Sequence, residues 1–386
     1  MSETEATSKT ESPAAETEKA AAPAPLRSVH TGSVAQILGE LGCSLMVSTY
    51  QAGKLVILRN DGPMTVNTHF RSFEKPMGIA ISGDRMAIGT ARQITEFHNV
   101  PAVAPKVEPP GKCDAAYLPR VTHHTGDIQI HEMAFAGTEL VFVNTRFSCL
   151  CTRSPLYSFV PRWRPKFVTE LAAEDRCHLN GLAIRDDKPR YVTALGRTNT
   201  QGGWRDNKKS GGIIIDIPSG EIIVEGLSMP HSPRYHNGKL WVLNSGSGGL
   251  GYVDLMNGQY TNVCKLPGFT RGFDFAGPFA FVGLSQVRES AVFSGIEIAE
   301  LPLEQRSSGV WIVDLRNGRI AGYVKFEEAV QEIFAVQVLK RKYPDVIVEV
   351  GPTLSGSFVL PDEALKDVSK GHVVLRESEN PDNPER

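Results

Sequence analysis

The sequence has no long hydrophobic run, no block of basic residues and no start that resembles a secretory signal. Its apolar runs, such as Gly212–Asp216, are far shorter than the roughly 18 residues that cross a bilayer. The N-terminus reads MSETEATSKTES, without a basic start followed by an apolar stretch. Lysine plus arginine number 41 against 43 aspartate plus glutamate, and no basic stripe suits nucleic acid. These absences argue against a membrane or nucleic-acid partner and predict a cytoplasmic protein.

Several motifs of nucleotide and nucleophile chemistry are also missing. There is no Gly-x-Gly-x-x-Gly after a strand, no phosphate-binding loop and no Gly-x-Ser-x-Gly elbow, so no nucleotide cofactor is expected. Six cysteines are present, and reduced thiols are expected in a long cytoplasmic chain. Cys149 and Cys151 share one face of a predicted strand and Cys177 precedes His178, which leaves copper or zinc binding open. Buried, inert thiols are the favoured interpretation.

Helical periodicity is scarce, and short β-type runs take its place. Examples are SLMVSTY at 44–50, KLWVLN at 239–244 and GVWIVDL at 309–315. Turn residues separate these runs, and an Asn-Gly pair between two strand runs is the strongest local signal for a hairpin. Such pairs stand at 237–238, 257–258 and 317–318.

Both ends of the chain differ from the middle in composition. Residues 1–28 and 376–386 are polar and poor in large apolar side chains, so they are predicted to be disordered tails. The folded body is expected at 29–375. Within it, residues 295–305 interrupt the fifth repeat described below, either as a short helix over a channel mouth or as a tolerated loop.

A five-residue pattern of polar residue, small residue and apolar alternation recurs about every 50 residues, which is typical of propeller blades. The copies are MGIAI at 77–81, HEMAF at 131–135, NGLAI at 180–184, HSPRY at 231–235, RGFDF at 271–275 and FAVQV at 334–338. They predict an all-β, six-bladed β-propeller with four-stranded antiparallel blades. Two N-terminal strands precede the first copy, and pairing them with the last blade would close the ring and cover its edges.

The first strand of each propeller blade lines the central channel, so the first residues of the copies should meet at the axis. These are Met77, His131, Asn180, His231, Arg271 and Phe334. Four of the six are polar, which predicts a ligand or metal site there.

A divalent metal of open identity is one interpretation of this ring, because imidazole and carboxylate are common metal ligands. The predicted ligands are His131, Glu132, His178, Asn180 and His231, with Glu132 and His231 as the catalytic pair. The alternative is that each histidine only satisfies buried polar partners.

Polar and aromatic residues near the same mouth suggest an anionic ligand, since guanidinium groups hold carboxylates or phosphates through paired hydrogen bonds. The predicted substrate-binding residues are Asn144, Arg146, Arg197, Trp204, Asn244, Arg271 and Arg288. The alternative for each arginine is an ion pair with a carboxylate such as Glu132, Asp274 or Glu289.

Several long phrases resemble a bacterial family known as a conserved hypothetical domain of unknown function with a propeller-like fold. They include NTRFSCLC at 144–151, SFVPRWRP at 158–165, EDRCHLNGLA at 174–183 and GFTRGFDFA at 268–276. The resemblance covers about residues 35 to 350; it implies the fold and brings no settled activity.

A more distant similarity connects HLNGLA at 178–183 with gluconolactonase-type six-bladed propellers. In those proteins, axial glutamate, asparagine and aspartate hold a divalent metal that assists lactone or ester hydrolysis. Asn180 matches the asparagine, Glu132 stands in for the glutamate, and His231 lies where a further ligand is expected.

Two classes of function follow. The first is a metal-dependent hydrolase-like or oxidative enzyme that acts on an anionic small molecule or peptide. The second is a non-catalytic scaffold whose loops bind a protein, peptide or glycan.

Overall fold

The computed structural model describes residues 26–287 and 293–368. Within these ranges the chain forms 26 β-strands, four short α-helices and four 3-10 turns. The first strands are β1 (Ser28–His30), β2 (Ser44–Thr49), β3 (Lys54–Asn60), β4 (Val66–Ser72), β5 (Ile79–Ser82), β6 (Arg85–Gly89), β7 (Gln93–Asn99), β8 (Ala115–His124), β9 (Ile130–Ala136), β10 (Glu139–Asn144), β11 (Cys149–Thr152), β12 (Val160–Trp163) and β13 (Leu179–Arg185). The remaining strands are β14 (Lys188–Ala194), β15 (Gly212–Asp216), β16 (Glu221–Leu227), β17 (Pro230–His236), β18 (Lys239–Asn244), β19 (Gly249–Val253), β20 (Tyr260–Lys265), β21 (Phe269–Ala276), β22 (Phe279–Ser285), β23 (Ser308–Asp314), β24 (Arg319–Phe326), β25 (Ala335–Leu339) and β26 (Pro344–Val346).

The helices are short and lie outside the sheets. They are α1 (Gly32–Leu41), α2 (Glu297–Glu300), α3 (Pro352–Ser355) and α4 (Asp362–Leu365), with 3-10 turns at Ala104–Lys106, Gly203–Asn207, Ser245–Ser247 and Leu303–Gln305. Across the part of the chain that the structure describes, no helix is long and apolar enough to cross a membrane.

The strands form six antiparallel sheets arranged as the blades of a propeller, which confirms the predicted fold. Blade 1 contains β25, β2, β3 and β4. Blades 2 to 6 follow in chain order, and their innermost strands are β5, β9, β13, β17 and β21. The innermost strands β25, β5, β9, β13, β17 and β21 contact their neighbours in that order and surround the axis. The turn between β17 and β18 shows why Asn-Gly was informative, because Asn237 and Gly238 both have positive φ, as a two-residue hairpin turn requires.

The glycines at the second position of three repeats, Gly78, Gly181 and Gly272, sit where two inner strands converge. A Cβ on Gly78 would lie 2.0 Å from the carbonyl oxygen of His131, and one on Gly272 would lie 2.6 Å from the Cα of Ala335. Larger side chains at these positions would push the blades apart. Glycine recurs in the repeat because the inner strands of neighbouring blades approach each other closely at these positions.

Ring closure joins the two ends of the chain, as predicted. The C-terminal strand β25 pairs with the N-terminal strand β2, with Ala335 opposite Ser48. Two further strands extend other blades: β1 pairs with β24, and β26 runs parallel to β8 in blade 2. Ser28, the last residue of the predicted N-terminal tail, lies in β1, and residues 1–25 of that tail lie outside the described residues. The predicted tail at 376–386 lies outside the described residues.

The core lies between the blades and beneath α1. This helix buries Val34, Ala35 and Leu38, which fall on one face and pack on the strands of blades 1 and 6. It ends at Gly42, whose left-handed conformation lets its amide hydrogen-bond to the last turn.

All six cysteines are buried and none forms a disulfide. The Sγ atoms of Cys149 and Cys151 are 3.5 Å apart, and the contact with the Cys149 thiol, together with burial, raises the pKa of Cys151. Burial also raises the pKa of Cys177 to about 12. Protonated, inaccessible thiols of this kind are unreactive.

Candidate functional site

A cavity of about 640 Å³ opens at one mouth of the propeller axis. Its floor contains five of the six residues predicted to meet there: Met77, His131, His231, Arg271 and Phe334. We call the six predicted positions the axial ring. The sixth member, Asn180, lies lower, in a narrow channel that it lines together with Glu132.

A second circle of side chains lies above the axial ring, nearer the mouth. Each member stands two residues before a ring position in the sequence, and all six line the cavity: Lys75, Gln129, His178, Met229, Phe269 and Glu332. We call them the upper tier. The first four have φ between 47° and 51°, so the same left-handed turn precedes each of their strands. Of this tier, sequence reasoning selected only His178, although the constant two-residue offset was available as a signal.

His131 is held by hydrogen bonds at Nδ1. This atom lies 2.9 Å from the carbonyl oxygen of Gln129 and 2.7 Å from Oγ1 of Thr145, whose own proton goes to the carbonyl oxygen of Leu179. Nδ1 therefore carries the hydrogen, and Nε2 keeps a lone pair. Nε2 is buried and has no hydrogen-bond partner among the residues that the structure describes.

His231 repeats this arrangement two blades away. Its Nδ1 lies 2.8 Å from the carbonyl oxygen of Met229 and 3.1 Å from Oγ of Ser245. Burial and the nearby charge of Arg271 hold the pKa of both His131 and His231 well below the usual range. Both rings are therefore neutral at physiological pH, and each leaves Nε2 as an acceptor.

Arg271 is the cation of the axial ring. Its guanidinium carbon lies 3.7 Å from the ring centroid of Phe334. Burial lowers the pKa of Arg271 to about 10, which the more distant charge of Glu332 only partly offsets. Among the described residues no carboxylate lies within ion-pair distance of Arg271.

Asp175 fixes two aromatic side chains of the cavity wall. Its Oδ2 accepts hydrogen bonds from Nδ1 of His178 at 2.9 Å and from Nε1 of Trp204 at 3.0 Å. Arg205 lies over the indole ring, 4.3 Å from its centroid. The wall is therefore held in a fixed arrangement by a single carboxylate.

The predicted metal ligands are brought to the axis but do not form one group. Glu132 accepts a hydrogen bond from Arg234 at 2.9 Å. Asn180 donates to the carbonyl oxygen of Pro230 at 3.0 Å and accepts from Oγ1 of Thr193 at 2.6 Å. Within residues 26–287 and 293–368, no three His, Cys, Asp or Glu side chains are placed to hold a metal ion.

Several predicted substrate-binding residues lie outside the cavity lining. The Oδ1 atoms of Asn144 and Asn244 accept hydrogen bonds from the backbone amides of Phe147 and Ser228. Arg146 pairs with Asp127 at 2.5 Å, which is the ion-pair alternative considered above.

The two remaining predicted arginines, Arg197 and Arg288, are not among the described residues that line the cavity. Arg197 is exposed, 4.0 Å from Glu225, and Arg288 lies outside the described residues. Of the predicted substrate-binding set, the structure therefore places Trp204 and Arg271 in the cavity.

The insertion at 295–305 forms a short helix, which is one of its two predicted forms. Ile296 and Ile298 are buried in a cluster with Trp204 and Phe269, and Phe293 packs on the same cluster. Phe293 also lines the cavity. The insertion thus builds the apolar side of the mouth.

Six antiparallel sheets around an axial cavity define a six-bladed β-propeller. Residues 32–347 match the model of a domain of unknown function, DUF4915, and the chain belongs to that family. No curated protein matches the sequence.

Solved structures resemble the chain in fold only. A chain from the crystal structure of a nidogen/laminin complex is 10% identical, with a TM-score of 0.51 over 78% of this chain and 100% of that chain. A protein of unknown function from Bacteroides caccae is 8% identical, with a TM-score of 0.49 over 77% of this chain and 99% of that chain.

Proposed function

We propose that the axial cavity binds a small organic carboxylate, with Arg271 holding the anionic group. The observation that carries this proposal is a partly buried guanidinium that faces a cavity without a carboxylate partner among the described residues. A buried charge is costly unless it is paired, and a ligand from solution would supply the missing pair. A carboxylate matches the planar donor fork of arginine.

The rest of the site favours a ligand that also carries hydrogen-bond donors. His131 and His231 present neutral Nε2 atoms beside Arg271, and neutral imidazole nitrogens of this kind accept hydrogen bonds. A hydroxyl or amide group next to the carboxylate fits these acceptors. The cavity volume lies in the range of small-molecule sites.

The test uses calorimetric titration with two hydroxy carboxylates, mandelate and its saturated-ring analogue hexahydromandelate. We expect binding to the unaltered protein and at least about tenfold weaker binding after Arg271→Met, because a charge-assisted hydrogen-bond pair is lost. Arg197→Met removes an exposed arginine outside the cavity and should leave the affinity unchanged. Equal affinity in Arg271→Met and the unaltered protein would contradict the proposal.

A divalent-metal-dependent enzyme is the second candidate, and one observation favours it. The Nδ1 atoms of His131, His178 and His231 are all engaged by oxygen atoms, which is how metal-binding imidazoles are usually oriented. A bound ion would polarise a substrate oxygen or activate water.

Elemental analysis of the purified protein decides between the two candidates. The metal hypothesis predicts a stoichiometric divalent ion that is lost in both His131→Ala and His231→Ala. Absence of metal from a folded protein that binds the carboxylates through Arg271 would leave the first candidate alone. A ligand affinity that is unchanged by substitution of Arg271, His131 or His231 would instead favour the scaffold function.

A further inference from the structure

Four aromatic rings form a continuous belt along the cavity wall, beginning beside Arg271. The ring centroids of Phe334 and His131 are 5.0 Å apart, those of His131 and His178 are 4.9 Å apart, and those of His178 and Trp204 are 4.5 Å apart. We call these four residues the aromatic belt. A guanidinium lies over each end, Arg271 over Phe334 and Arg205 over Trp204.

The belt is held in place by polar contacts behind the rings. His131 is fixed by Thr145 and by the Gln129 carbonyl, while His178 and Trp204 share the Asp175 carboxylate. Neither histidine ring uses its Nε2 for these contacts. The rings are tilted or perpendicular to one another, with angles of 56°, 84° and 43° along the belt, and all four residues line the cavity.

We infer that the cavity is selective for carboxylates that carry an aromatic ring, because the aromatic belt extends from the guanidinium that holds the anion. This inference rests on the proposed function and names its substrate class. A bound aromatic ring would meet ring faces and edges in the offset or T-shaped arrangements that aromatic pairs prefer. A saturated ring of the same size would fill the same volume without these contacts.

The apolar side of the mouth supports the same class of ligand. Phe269, Phe293 and Met229 line the cavity beyond Trp204, and the rings of Phe269 and Phe293 are 5.3 Å apart in an edge-to-face pair. The ligand ring would therefore have an aromatic or apolar surface on the belt side and on the insertion side. Its carboxylate and hydroxyl would remain at the floor, with Arg271 and the two neutral histidines.

The experiment compares mandelate with hexahydromandelate, which share the hydroxyl and the carboxylate and differ only in the aromaticity of the ring. Calorimetric titration of the full chain should show about two- to tenfold tighter binding of mandelate. Trp204→Leu should reduce this preference by weakening mandelate binding while leaving hexahydromandelate binding nearly unchanged, because one of the four rings is lost. Trp163→Leu, in the outer strand of blade 3, is the matched control and should keep the preference.

The possible outcomes separate this inference from the proposed function. Equal affinity for the two compounds, with both dependent on Arg271, would overturn the aromatic preference and leave carboxylate binding intact. A preference for mandelate that is undiminished in Trp204→Leu would contradict the role given to the belt and would also overturn the inference. Failure of both compounds to bind would overturn both proposals. Circular dichroism and thermal unfolding establish that Trp204→Leu is folded before its affinities are compared.

Discussion

At the scale of single residues, the polar groups at the axis are of two kinds. Glu132 and Asn180 are satisfied by partners within the protein, so their chemistry is used in holding the blades together. The Nε2 of His131 is buried without a hydrogen-bond partner among the described residues, and the partly buried Arg271 has no carboxylate within ion-pair distance there. Buried polar groups without partners are rare in folded proteins, and the meeting of these two side chains at one cavity is the basis of the proposed site.

The two buried histidines should make stability dependent on pH. Folding lowers the pKa of His131 and His231 well below the value of about 6.5 that histidine has in an unfolded chain. Between these values the unfolded state binds more protons, so the stability is fully present above about pH 6.5 and is lost as the pH falls. Each histidine should lower the free energy of unfolding by up to about 1.4 kcal/mol per pH unit in that window.

Urea unfolding at pH 7.5, 6.5 and 5.5 measures this dependence. His131→Asn and His231→Asn should each reduce the slope below pH 6.5, whereas His124→Asn, at an exposed position in β8, should keep it. An identical slope in all four proteins would show that folding does not lower the pKa of either buried histidine.

Residue-level prediction succeeded where a side chain's position follows from the repeat. His131, His231 and Arg271 occupy equivalent places in three copies, and the structure brings them to one cavity floor. The pairing of a side chain with a distant residue could not be predicted in this way. Glu132 is paired with Arg234, which is 102 residues away, and no local pattern indicates that pairing.

At the scale of strands and turns, the sequence is informative because its signals are local. Alternating apolar residues and Asn-Gly turns specify hairpins, and hairpins of similar length specify blades. The upper tier was missed because it depends on a backbone conformation. Gln129 and Met229 point into the cavity from left-handed turns, a conformation that neither residue type favours strongly.

Hydroxyl side chains at the ends of second strands connect neighbouring blades. Thr145, after β10 of blade 3, donates to the Leu179 carbonyl oxygen in blade 4, and Ser285, in β22 of blade 6, donates to the Ile333 carbonyl oxygen next to blade 1. These contacts lie directly behind the cavity floor. The elements that position the site are therefore the same ones that hold adjacent blades in register.

At the scale of the whole molecule, Ser48 is the residue on which closure of the ring depends most directly. Its Oγ donates to the carbonyl oxygen of Met77 in the next blade and accepts a hydrogen bond from the amide of Ala335 in the closing strand. Ser48 is completely buried, so water cannot replace either contact.

Ser48→Ala should lower the free energy of unfolding by about 1 to 3 kcal/mol, since it leaves a buried carbonyl and a buried amide without this partner. Thermal or urea unfolding measures the change. Ser82→Ala, at an exposed position in β5, is the control and should change stability by less than about 0.5 kcal/mol. Equal stabilities for the two variants would show that closure does not depend on this hydroxyl.

Closure of the ring also depends on the order of synthesis, because the strand that closes it lies near the C-terminal end of the propeller. The strand that completes blade 1 is β25, nearly the last strand of the propeller to be synthesised, and Glu332 and Phe334 directly before it complete the two circles of cavity residues. A nascent chain that stops short of them lacks the innermost strand of blade 1 and the strand β26 of blade 2, so the inner edge of blade 1 is unpaired and the cavity is not enclosed. The proposed site is therefore complete only after translation of the propeller is essentially finished.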